Sequence, residues 1–272
     1  MSADAIKRRA VSNDRVVGGE GEDDQHAAAG QQRRARPVSL VRSMSVNVDS
    51  GLAGEIFDHF CNAATLKSIL RSFRYLCEVL RLKPNQLPFF YPKLKTHLKT
   101  WKAQALWTKL DKKASAKCYN RGKACQGTRV LVIGAGPCGL RSALEAQLLG
   151  AKVVIVEKRD RYSRNNVLHL WPCNIHELRA LGAKKFYGKF CAGSIDHISI
   201  RQIQCILLKI CLLLGVEVFE GVSFEDLIEP VDIETGWRAR VGPADHPVGQ
   251  VSIDQSEHSI ELILTNDSTS LM

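Results

Sequence analysis

The chain has 272 residues, 45% of them hydrophobic and 24% charged, an ordinary globular composition that excludes a collagen-like or wholly disordered protein. Its formal charge is +10, and the excess is local: Lys67 to Lys123 holds 15 basic residues against only Glu78 and Asp111. A segment of that kind suits an acidic protein, a membrane surface or a nucleic acid.

Residues 1–50 are poor in aromatics and rich in Gly, Arg, Ser and Asp, with blocks such as Arg33-Arg34-Ala35-Arg36 and Glu20-Gly-Glu-Asp-Asp24. They cannot bury enough apolar area to offset chain entropy, which predicts a disordered arm. Met1 to Val11 lacks the apolar stretch of a signal peptide. Residues 51–125 form a basic helical segment. Ile56, Phe60, Ala63, Leu66, Ile69, Phe73, Leu76 and Leu80 recur at three-to-four spacing, with Thr65 placed to cap a second helix after Asn62. After Lys83-Pro-Asn85, Pro92 suits a first helical turn. Leu94, Leu98, Trp101, Ala105, Trp107 and Leu110 then predict a single long amphipathic helix. Its opposite face carries Lys93, Lys95, Lys99, Lys102, Lys109, Lys112 and Lys113, either a solvated face or a docking surface for an acidic partner.

From residue 126 the period changes. Arg129 to Ile133 is a continuous apolar run of the kind buried on both faces of a parallel sheet. A helix over 137–149, closed by Gly150, leads to a second strand over 152–156 that ends in Glu157. The turn between them reads Gly134-Ala-Gly136-Pro-Cys138-Gly139. Gly134 permits the tight turn, Gly136 lets a pyrophosphate approach the backbone, and Gly139 lets helix and strand pack closely. Phosphates would lie at the helix N-terminus, near the N–H groups of Pro137's neighbours. Glu157 stands near the spacing expected of a carboxylate that binds ribose hydroxyls. An acid there favours FAD or NAD over NADP as the tightly held ligand. Arg159, Arg161 and Arg164 follow with Asn165 and Asn166, a cationic cluster suited to an anionic cofactor.

These stretches carry a resemblance. Trp101 to Lys112, Val132 to Arg141, Val156-Glu-Lys158-Arg159, Ser163-Arg-Asn-Asn-Val-Leu-His-Leu-Trp-Pro172, Leu181 to Gly188 and Asp196 to Gln202 resemble the flavoprotein monooxygenase domain of the MICAL family of F-actin monooxygenases. The resemblance runs from about Leu52 to Val241. It implies an α/β fold: a Rossmann-like FAD-binding domain of the p-hydroxybenzoate-hydroxylase type, preceded by the helical segment. It also implies FAD as cofactor, NADPH as co-substrate, and oxidation of methionines in F-actin with filament disassembly in a cytoplasmic, cytoskeleton-associated setting. No nucleic-acid partner and no membrane span are expected. By the same resemblance Gly134, Gly136, Cys138 and Gly139 meet the pyrophosphate. Glu157, Lys158 and Arg159 lie at the ribose and pyrophosphate end, Arg164 and Asn166 approach the flavin, and Phe224, read as ending a strand after Val216 to Phe219, lies against the adenine. The catalytic residues are not assigned. His169, His176 and His197 read as structural, and Trp171 as a wall of the pocket or core.

Residues 242–272 depart from the family. Gly242 to Pro247 and an alternating Ile260-Glu-Leu-Ile-Leu264 replace the family's continuation, so sheet edges are expected to be left bare. Segments that close over the ribityl chain and ring are expected to be missing, with weak FAD binding and poor NADPH turnover as the consequence. Two other readings stand beside the monooxygenase: a non-catalytic product docking through its lysines, and an NAD-linked dehydrogenase, which leaves Arg164 to Pro172 without a role. The nine scattered cysteines, with no Cys-x-x-Cys, suit reduced thiols in a cytosolic or nuclear protein better than zinc ligands or a disulfide framework. Cys205 to Leu214, the most apolar run, is about half the roughly 20 residues a bilayer needs.

Overall fold

The computed structural model describes residues 50–183, 197–230, 237–243 and 260–264. The expected arm up to residue 49, Arg33 to Arg36 within it, and the family-like stretch from Lys184 to Asp196 lie outside the described residues.

The helical segment follows its apolar spacing. Helices α1 (Ser50–Asn62) and α2 (Leu66–Leu80) are separated at Thr65, which forms a capping box. Its hydroxyl accepts the Ser68 N–H at 3.2 Å, and the Ser68 hydroxyl accepts the Thr65 N–H at 3.1 Å. Every apolar residue on one face of α2, from Leu66 through Phe73 to Leu80, is buried. Rings of Trp107, Phe57, Phe60, Phe73 and Phe90 meet in that order at 5.6–6.3 Å, joining the helices through one aromatic seam.

The single long helix expected from Pro92 to Leu110 is two helices, α3 (Phe90–His97) and α4 (Trp101–Ala114). Leu98 is extended, and Thr100 caps α4 by accepting the Ala103 N–H at 3.3 Å. The Trp107 indole N–H donates to the Leu98 carbonyl at 3.2 Å, satisfying a group that helix continuation would otherwise have used. Trp101 and Ala105, read as core, are exposed, whereas Ala103 is buried. The lysines are not one free stripe either. Lys95 pairs with Asp111, Lys102 with Asp58 at 2.6 Å, and Lys113 with Glu177 at 3.4 Å, while Lys109 donates to the Arg179 carbonyl.

Strand β1 (Arg129–Ile133), α5 (Pro137–Leu149) and β2 (Lys152–Glu157) form the expected βαβ unit. Short elements follow: β3 (Val167–His169), α6 (Pro172–Ala180) and β4 (His197–Ser199). Helix α7 (Ile200–Leu214) then leads into β5 (Glu217–Glu220), β6 (Ser223–Ile228) and β7 (Arg238–Gly242). The main sheet has the order β5-β2-β1-β8, with parallel pairing throughout, where β8 is Ile260–Leu264. The segment after residue 241 therefore does not leave β1 bare: its strand pairs with all of β1, Arg129 opposite Ile260 and Ile133 opposite Leu264. Helices α5 and α7 pack together over one face, and their core is continuous with that of α1 to α4. On the other face Leu131, Val156 and Val222 form a smaller core beside the antiparallel β6–β7 ribbon. Both faces of β1 and β2 are covered, as their uninterrupted apolar runs require. Among the described residues no helix is long and apolar enough to cross a membrane, and Cys205 to Leu214 lies within buried α7.

A chain ended at residue 259 loses β8 and exposes the hydrogen-bonding edge of β1. Such a chain is expected to melt at lower temperature and to scatter more light on warming, as read by circular dichroism and turbidity. Identical melting of the two chains would show that β8 adds nothing to the sheet.

Candidate FAD site

The site lies where the parallel strands end and α5 begins. Gly134 turns the chain at φ 96°, a left-handed conformation that disfavours any side chain, and its N–H donates to the Val156 carbonyl at 2.8 Å. Gly136 is the N-cap of α5 and Pro137 its first residue, so the first-turn N–H groups at Cys138 and Gly139 have no helical carbonyl to meet. Gly139 is buried in the helix–sheet contact, and Cys138 is exposed.

Glu157 is the buried acid of the site, 5% exposed. Its two carboxylate oxygens are already used within the protein: one accepts the Ala135 N–H at 2.7 Å, the other the Arg159 N–H at 2.9 Å. The Ala135 carbonyl in turn accepts the Gln204 side-chain N–H at 3.0 Å, so Ala135 of the glycine turn is held at both its N–H and its carbonyl, the two peptide groups that flank it. Each carboxylate oxygen keeps a further lone pair for a ligand hydroxyl.

A cleft opens beside this clamp, lined by Pro137, Glu157, Arg159, Arg161, Tyr162, Ser163, Arg164, Ile200 and Gln204. Three arginines set its charge. The Tyr162 hydroxyl is buried with no hydrogen-bond partner among the described residues, and burial first, then the acidic groups of Cys205, Glu157 and Cys211, pushes its pKa well above the usual phenol range. It is thus a neutral hydroxyl held ready for an acceptor. Asn166 enters the β3–β4 ribbon just beyond, its carbonyl accepting the Ile200 N–H at 2.9 Å, with its side chain exposed.

Of the residues expected at a cofactor, the structure gathers Gly134, Gly136, Cys138, Gly139, Glu157, Arg159 and Arg164 around one strand–helix junction. Lys158 is exposed and does not line the cleft. The strand position of Phe224 is a correction. It is the second residue of β6 rather than the end of a strand, and it packs, half-buried, against the small core of Leu131, Val156 and Val222, outside the cleft lining. Trp171, expected as wall or core, is 72% exposed ahead of α6. His169 and His197 face each other across the ribbon with ring centres 5.1 Å apart. Gln204 and Tyr162 were not singled out from the sequence. Gln204 did leave a signal: a polar residue four and seven positions before Leu208 and Cys211 shares their buried helical face. Among the described residues no group of three or more His, Cys, Asp or Glu could hold a metal ion.

Buried thiols in this fold are inert. Cys211, fully buried behind the glycine turn, is pushed up to about 12 by desolvation, and Cys77 likewise.

The fold and the glycine turn define an α/β protein with an FAD-binding domain, and residues 127–169 match the family model described as FAD binding domain. The chain is 64% identical over 202 residues to "[F-actin]-monooxygenase Mical" of Drosophila melanogaster, covering 74% of this chain and 4% of that protein. It is 57% identical over 216 residues to "[F-actin]-monooxygenase MICAL3" of Mus musculus, covering 78% and 10% respectively. With "Protein-methionine sulfoxide oxidase mical3a" of Danio rerio it shares 59% over 203 residues, 73% of this chain and 10% of the relative. Across that stretch the chain belongs to the MICAL family. It spans a tenth or less of the length of these curated relatives.

Proposed function

We propose that this chain binds FAD and is the FAD-binding part of an NADPH-using flavoprotein monooxygenase that oxidises methionines of F-actin and promotes filament disassembly. The observation that carries the reading is the clamped Ala135 backbone: Glu157 and Gln204 fix the glycine turn beside the N-terminus of α5 and an arginine-lined cleft. A diphosphate needs N–H donors and positive charge there, and both are present. In this reading Gly134, Gly136, Cys138 and Gly139 offer backbone to the pyrophosphate. Glu157 adds the adenosine ribose to the two N–H groups it already holds, with Lys158 and Arg159 beside it. Arg164 and Asn166 stand on the flavin side, and the Tyr162 hydroxyl finds an acceptor on the ligand. Bound FAD would supply the electron acceptor and the oxygen-activating ring. The residues described here bind and orient it, and Gln204 and Glu157 hold the turn in place.

The test uses the purified chain incubated with FAD and passed through gel filtration. Retained flavin absorbance is the expected result, with poor NADPH consumption and little methionine sulfoxide in actin by mass spectrometry. A folded chain that retains no flavin overturns the reading. Bound FAD should also shield the exposed Cys138 thiol from alkylation, while buried Cys77 and Cys211 stay unmodified with or without it.

Gln204→Leu removes the donor to the buried Ala135 carbonyl, at a cost of about 1–3 kcal/mol for an unsatisfied group. FAD affinity in a fluorescence titration is expected to fall roughly five- to a hundredfold if the turn must be held for binding. Unchanged affinity would confine Gln204 to packing.

A further inference from the structure

The flavin reading leaves a second concavity unused, at the opposite end of β1 and β2 from the glycine turn. It is a groove of about 840 Å³ between the start of those strands, the end of α5, and the loop before α3. Its floor is apolar, with buried Leu148 and Leu214 and half-buried Leu87. Its rim is basic: Arg121 and Lys123 are exposed on one side, and Arg129 and Lys152 stand at the first residues of β1 and β2. Asp111, the acid of the groove, is already paired with Lys95 and accepts the Tyr91 hydroxyl at 2.9 Å. Asp111 is thus taken up by Lys95 and Tyr91, Glu217 lies within electrostatic reach of Lys152, and Arg121 and Lys123 are the exposed cations of the rim.

Two further features point to a ligand. Asn120, Arg121 and Gly122 run consecutively in left-handed backbone, at φ 47°, 55° and 71°, which holds the Arg121 turn against the groove at a conformational cost. Beneath the surface, the Gln147 side-chain oxygen is buried with no hydrogen-bond partner among the described residues, while its amide nitrogen donates to the Leu214 carbonyl at 3.0 Å. A groove with an apolar floor and a cationic rim matches an extended acidic peptide, with carboxylates on the rim and an apolar side chain on the floor.

We propose that this groove docks an acidic protein segment that carries apolar side chains. The lysines of α3 and α4, largely paired within the protein, are not the docking surface. The proposal does not rest on FAD binding, and its test uses no flavin.

The probe is a fluorescein-labelled twelve-residue peptide of glutamates with two leucines, titrated with the full chain and read by fluorescence anisotropy. Arg121→Glu with Lys123→Glu is expected to weaken binding roughly tenfold or more and to flatten its salt dependence. Lys152→Glu, on the other rim, is expected to weaken it independently, so a misfolded loop variant does not decide the matter. Replacing the peptide's leucines by serine should also weaken binding. Lys93→Glu with Lys99→Glu should leave it unchanged. Binding indifferent to both rim variants, or weakened as much by the Lys93 and Lys99 pair, overturns the proposal. Tighter binding of a single-stranded oligonucleotide of equal charge, lost in the same rim variants, would do so too and would assign the groove to nucleic acid.

Discussion

Glu157→Gln is expected to bind FAD almost as poorly as Glu157→Ala, although it preserves shape and volume. The carboxylate faces two donors, the Ala135 N–H at 2.7 Å and the Arg159 N–H at 2.9 Å. A glutamine offers one oxygen and one NH2, so in either orientation a donor confronts a donor in a buried position. Hydrogen bonds to a charged group contribute about 1.5–3 kcal/mol each, and alanine loses both. The alanine variant should weaken FAD binding more than tenfold and lower the melting temperature, while glutamine recovers at most the share of one bond. Glu157→Asp is too short to reach both N–H groups and should resemble glutamine. Flavin fluorescence titration and thermal melting by circular dichroism separate the effects. Wild-type affinity in the glutamine variant would show that the charge and the double acceptor are not what holds the turn.

The βαβ unit was legible because every signal for it is local. Continuous apolar runs give strands covered on both faces, Gly134 supplies the positive φ, and Gly150 closes the helix. Glu157 was placed from spacing alone, but spacing says nothing about what already occupies its oxygens. The misreadings have a common cause. The apolar repeat continues across residues 98–100, and what divides α3 from α4 is a threonine cap and an indole–carbonyl bond, neither of which periodicity records. Opposite charges that neutralise the lysines come from distant sequence, as Asp58 does for Lys102 and Glu177 for Lys113. Gln204 reaches Ala135 from another helix. Residues 260–264 show an alternating pattern, but their parallel place beside β1 depends on a partner far up the chain. Phe224 was placed by resemblance, and its packing with Val156 and Leu131 follows from a ribbon whose pairing the sequence does not display.

Gly150→Ala is expected to destabilise the protein far more than Gly221→Ala, and the difference isolates one contact. Both glycines are left-handed, at φ 101° and 75°, where an L side chain costs about 1–2 kcal/mol. A Cβ at Gly221 meets nothing within 4 Å. At Gly150 it would stand 1.9 Å from the Gly122 carbonyl oxygen and 2.7 Å from its carbon, backbone atoms that cannot rotate aside. Relief requires moving the turn over 117–122, which packs Tyr119 into the core and sets its hydroxyl 3.0 Å from Glu145 on α5. The same movement would pull the Gly150 N–H from the Ala146 and Gln147 carbonyls that end α5. Gly221→Ala should lower the melting temperature by about 2–8 °C, given roughly 2–4 °C per kcal/mol in a domain of this size. Gly150→Ala should at least double that shift, and Gly150→Val should leave little folded protein in a circular dichroism melt. Because Gly122 and Gly150 both line the basic groove, any folded Gly150→Ala protein should also bind the acidic peptide more weakly. Equal melting of the alanine variants would show that the turn yields freely and that Gly122 and Gly150 are not held together by the fold.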